Sequence, residues 1–68
     1  MKPNQAVVIV KHEDKQYLKR IGVLVSFDKE EEQWILQLPE GRMMIKESQL
    51  QEISMNTQAE LLETKQGN

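Results

Sequence analysis

From Gln33 the chain reads Gln-Trp-Ile-Leu-Gln-Leu, breaks at Pro39-Glu40-Gly41-Arg42, and resumes with Met43-Met44-Ile45-Lys46. No other stretch limits the possible folds so tightly. Strict alternation puts Trp34, Leu36 and Leu38 on one face of a strand and Ile35 and Gln37 on the other, because side chains of a β-strand project with period two. Proline sets φ near −65° early in a turn and glycine accepts a positive φ later in it, so Pro-Glu-Gly predicts a tight antiparallel hairpin. Met43 and Ile45 then share the face of Leu38, while Met44 faces away.

Three further strands are predicted on either side. Ala6-Val7-Val8-Ile9-Val10 is a β-branched run, stiff at χ1 and suited to a pleated surface. Ile21, Val23, Val25 and Phe27 recur at period two, so the second strand is expected to bury its odd positions, with Leu24 showing that its other face is not wholly polar. Gly22 is expected to serve strand packing. Asp28-Lys29-Glu30-Glu31-Glu32 reads as a solvated turn that also discourages edge pairing. Glu47 to Leu50 reads as a short helical turn before a brief strand at Gln51 to Ile53, with Leu50 and Ile53 closing the bottom of the core. The segment from Lys11 to Arg20, KHEDKQYLKR, is either a long excursion between strands or one to two helical turns, since Glu13 to Arg20 holds good helix formers and neither Gly nor Pro.

With 68 residues and no cysteine, the chain makes one small domain and has neither disulfide nor thiolate metal site to reinforce it. A domain of this size buries only about 60% of the surface of its unfolded chain. Assembly with another chain, a second copy included, is a remaining route to stability. The apolar run after Lys2-Pro3-Asn4 is too short for a signal peptide or a membrane span, so a soluble cytoplasmic protein is expected. Charge is uneven. Residues 1 to 27 carry Lys2, Lys11, Lys15, Lys19 and Arg20 against Glu13 and Asp14, whereas residues 28 to 68 carry Lys29, Arg42, Lys46 and Lys65 against nine acids.

The order of strand, long loop, strand, acidic turn, strand, tight turn, strand, short turn and short strand, with Ile21-Gly22-Val23 opening the second strand and Met43 to Lys46 leading to Leu50-Gln51-Glu52-Ile53, resembles the SH3-like small barrels. The resemblance covers residues 5 to 53 and rests on element order. It implies an all-β fold, a five-stranded SH3-like barrel with a short helical turn before its last strand, in a domain of residues 1–53. An OB-like sheet and a meander packed on a helix from Glu13 to Arg20 are the competing arrangements. Residues 54–68 are expected to be a polar, flexible C-terminal tail, disordered or a nascent helix from Gln58 to Lys65 behind the capping-box spacing of Thr57 and Glu60, in which Met55, Leu61 and Leu62 could order on a partner.

Catalytic chemistry finds little to stand on. His12-Glu13-Asp14 is a consecutive trio on a polar loop, without the shielding that tunes a general acid or base and without metal-ligand spacing. Gly22, Gly41 and Gly67 are too far apart for a phosphate loop, and Glu30 to Glu32 lack the pattern of a calcium loop. One SH3-like family, the small plasmid-type dihydrofolate reductases, is enzymatic through a Val-Gln-Ile-Tyr stretch, where this chain has Met43-Met44-Ile45-Lys46. The glutamine and tyrosine are missing, so that activity is not implied; no enzyme, cofactor or metal is expected.

Binding is the remaining class. Proline-motif recognition needs an aromatic cluster, and of Tyr17, Phe27 and Trp34 the last two are expected in the core. The residues expected to meet a partner are Lys11, Lys15, Tyr17, Lys19, Arg20 and the adaptable Met44. Small SH3-like accessory subunits of photosynthetic and respiratory-type electron-transfer complexes have this size and layout, and a phage or plasmid modulator of a host protein would look the same. The expected function is a non-catalytic protein-binding adaptor or accessory subunit. The alternative is nucleic-acid binding, in which Lys11, His12, Lys15, Lys19 and Arg20 surround Tyr17 for backbone contact and base stacking, against a pI near 5.3.

Overall fold

A computed structural model describes residues 1–53. Five antiparallel strands form one sheet: β1 (Ala6–Ile9), β2 (Ile21–Asp28), β3 (Gln33–Leu38), β4 (Gly41–Ile45) and β5 (Leu50–Glu52). Their spatial order is β4-β3-β2-β1-β5, which leaves β4 and β5 as edges of an unclosed sheet. The only helical pieces among the described residues are two single 3₁₀ turns, Lys15–Tyr17 and Glu47–Gln49. The tail expected beyond Ile53 lies outside the described residues.

Local chemistry accounts for the turns. Leu38 pairs with Gly41 across the two-residue loop Pro39-Glu40, and Gly41 takes φ of 149°, a conformation open to glycine and rare for other residues. At the β2–β3 turn the Asp28 carboxylate accepts hydrogen bonds from the Glu30 and Glu31 N–H groups at 3.0 and 3.2 Å, and Glu32 enters the left-handed region at φ 56°. The acidic run is thus a folded turn as well as a solvated one. Between β1 and β2, Asp14 caps the first 3₁₀ turn by accepting from Gln16 N–H at 3.1 Å, and Lys19 at φ 67° donates its N–H to Ile9 C=O at 2.8 Å.

The core consists of Val7, Ile9, Leu24, Trp34, Leu36, Leu38, Ile45 and Leu50, with Met1, Tyr17 and Met43 partly buried against it. The expected faces of β3 and β4 hold: Trp34, Leu36, Leu38 and Ile45 are buried, and Met44 points away. Ile53, in contrast to Leu50, is only half-buried.

β2 departs from expectation. Residues directly opposite in an antiparallel pair share a face. Leu24 lies opposite buried Leu36, and Gly22 opposite buried Val7, so the even positions face the core. Ile21 and Val23 face outward and are 56% and 43% exposed. The strand is apolar on both faces, so size at a single position decides which one is inward. A Cβ on Gly22 would come within 2.8 Å of Gln37 O and Leu36 Cδ1. Only glycine lets β3 approach this closely. A β-bulge at Val25 then resets the alternation and turns Phe27 back towards the core side, opposite Trp34. There Phe27 rests edge-on against Trp34, with ring centroids 5.3 Å apart, but remains 43% exposed at the end of the sheet, which corrects its expected burial.

Candidate functional site

The reversed β2 puts apolar side chains on the outer face of the sheet. Register places Val8 beside Ile21, then Ala6, Val23, Gln37 and Arg42 in a second row, and Ser26, Ile35 and Met44 in a third. Ile21, Val23 and Met44 are exposed, and Ala6, Val8 and Ile35 are half-buried. No described element covers this face. Burial of such surface on a partner stabilises a complex by about 25 cal/mol per Å² before association costs are met.

The basic loop lies at the end of this face where β2 begins. Lys15 opens the first 3₁₀ turn and Tyr17 ends it; Lys15 is exposed, whereas Tyr17 is half-buried against the core and against His12, whose ring centroid is 4.9 Å away. Lys19 is exposed two residues before Ile21. Arg20 is held elsewhere: its guanidinium donates to Glu40 Oε1 at 2.6 Å across the tip of the β3–β4 hairpin. That hydrogen bond holds the Glu40 carboxyl below its ordinary pKa and raises the Arg20 pKa, and the latter has no consequence because arginine is charged throughout. Met44 sits apart from the loop. It lies opposite Ile35, whose other partner is Ser26, about 16 Å along β2 from Ile21 at about 3.3 Å per residue.

Lys11 belongs to a different feature. Together with His12 and Glu13, after β1, it lines an open groove of about 510 Å³ that is also lined by Lys46, Ser48 and Gln49 of the β4–β5 connection. The last three escaped the sequence reading, as did Ile21 and Val23 on the outer face. The apolarity of Leu24 beside Gly22 was the signal for the latter; nothing local marked Gln49. His12 Nδ1 accepts from Asp14 N–H at 2.9 Å, so the trio of residues 12–14 folds on itself. Among the described residues no group of three His, Cys, Asp or Glu side chains could hold a metal ion, and no helix is long and apolar enough to cross a membrane.

No family model matches the chain, and no curated protein and no solved structure matches it either.

Proposed function

We propose that this chain is a non-catalytic protein-binding module, a cytoplasmic adaptor or accessory subunit of a larger complex built on an SH3-like small barrel. The reading is carried by one observation: large apolar side chains, Ile21, Val23 and Met44, stand exposed on the sheet face turned away from the core. Scattered apolar residues are ordinary on a small protein, but Ile21 and Val23 adjoin Val8 and Ala6 in neighbouring rows of one face, and Ile35 and Met44 lie farther along that same face. Its occupant is a surface of another protein, apolar where it meets Ile21 and Val23 and acidic along the adjoining border. That border meets Lys15 and Lys19, which pair with no carboxylate among the described residues.

The test uses the full chain with Ile21 and Val23 both replaced by threonine, which keeps the β-branched shape and removes the apolar surface. Affinity capture from host lysate after nuclease treatment is expected to retain a defined protein with the natural chain and to lose it with the double variant, at equal melting temperature. Capture of the same proteins by both chains overturns the reading. Sedimentation that shows the natural chain self-associating and the variant monomeric also overturns it, because the face is then covered by a second copy.

A further inference from the structure

The groove between Lys11 and Lys46 is built rather than incidental. Lys11 follows β1, the strand next to one edge of the sheet, and Lys46 follows β4, the strand at the opposite edge, yet one side chain ties their backbones together. Gln49 Oε1 accepts from Lys46 N–H at 3.2 Å, and Gln49 Nε2 donates to Lys11 C=O at 3.1 Å. The backbone of Gln49 is fixed as well, its C=O accepting from Val10 N–H at 2.9 Å and its N–H donating to Lys46 C=O at 3.0 Å. A single glutamine therefore sets the positions from which two lysines of the groove lining emerge. Ser48 and His12 line the space as well, and Glu13 is the one carboxylate on its lining. Among the described residues neither lysine is in an ion pair.

We propose that this groove binds a phosphate group, with Lys11 and Lys46 as its two cationic residues and Gln49 as the residue that positions them. Lysine binds phosphate as a compact point charge with rotatable donors that can each meet a different oxygen; the planar fork of arginine, which matches phosphate and carboxylate alike, is absent from this lining. The hydroxyl of Ser48 adds a neutral donor. Glu13 offsets one of the two lysine charges on the lining. The site is separate from the outer sheet face, so it stands or falls apart from the protein-docking reading. The phosphate comes in two forms, as the free ion or within the backbone of single-stranded nucleic acid, and the experiment separates them.

The experiment is titration of the full chain, followed by amide NMR shifts, with inorganic phosphate in one arm and oligothymidylate in the other. Saturable shifts are expected at Lys11, Lys46, Ser48 and Gln49 in at least one arm. Lys11→Ala and Lys46→Ala, both at exposed side chains, should each weaken binding about tenfold at unchanged melting temperature, the effect of losing one charge-assisted contact. Gln49→Met should weaken it several-fold with both lysines retained. If the oligonucleotide is the ligand, the logarithm of its affinity should fall against the logarithm of salt with slope about −1.4, and each lysine variant should remove about 0.7 of it. Binding in the phosphate arm alone identifies a small anion as the ligand. Absence of saturable shifts in both arms, shifts confined to Lys15 and Lys19, or lysine variants that bind as well as the natural chain would each overturn the proposal.

Discussion

Replacement of Gly22 by alanine tests the close approach on which the whole reading of β2 depends. A Cβ there meets Gln37 O at 2.8 Å, Leu36 Cδ1 at 2.8 Å and Leu36 Cγ at 2.9 Å. The leucine has rotamers to retreat into, but it is fully buried and its neighbours are packed. The carbonyl oxygen belongs to a paired strand and has none. Overpacking of this kind costs about 1 to 3 kcal/mol, and a contact with main-chain oxygen places it in the upper half of that range. Alanine also lowers the entropy of the unfolded chain and recovers about 0.4 to 1 kcal/mol. The net is a destabilisation of about 2 kcal/mol, a large share of the roughly 3 to 10 kcal/mol that a domain of this length possesses. The melting temperature should fall by about 10 °C. Urea unfolding followed by the fluorescence of Trp34, the single tryptophan and a buried one, reads this directly as a lower midpoint at unchanged slope. A midpoint that is unchanged or higher refutes the reasoning, for it means that β2 and β3 are not so close at Gly22 and that Ile21 and Val23 need not face outward.

Two further outcomes follow from the turns. The Glu40 carboxyl should titrate below an ordinary glutamate by NMR and return to the ordinary range in Arg20→Ala. Because the folded pKa is the lowered one, the linked stabilisation is present above the unfolded pKa and is lost as pH falls through the folded value. Glu32→Gly should raise stability by about 1 kcal/mol in thermal melts, since it relieves a left-handed residue at φ 56° in an exposed turn; a lower melting temperature would show that the Glu32 side chain matters more than its backbone.

The parts of the fold legible in the sequence are those where one residue pattern has one solution. Trp34, Leu36 and Leu38 alternate with a polar or half-buried partner, and Pro39 to Gly41 permits few turns, so strand, face and hairpin agree. β2 has apolar residues at both parities, and the deciding fact is the absence of a side chain at Gly22, which becomes visible only against Leu36. The bulge at Val25 then moves Phe27 without leaving a local mark. The same holds at the surface. The lysines of the first loop are apparent as charges, but the capture of Arg20 by a carboxylate twenty residues away, and the tie from Gln49 to Lys11 across 38, are products of tertiary proximity. Charge composition describes what a loop carries and not what it has already spent on its own neighbours.

The strand order carries a kinetic meaning. β2, β3 and β4 are successive in the chain and joined by short turns with built-in conformational bias, so their pairing closes only small loops. The β1–β5 pairing joins the two extremes of the described chain, Val7 to Glu52 and Ile9 to Leu50, and must wait for a large loop to close. In a chevron experiment, damage to the β3–β4 hairpin would therefore slow folding, whereas truncation of Leu50 would chiefly hasten unfolding. The first governs how readily the domain is made, and the second how long it lasts.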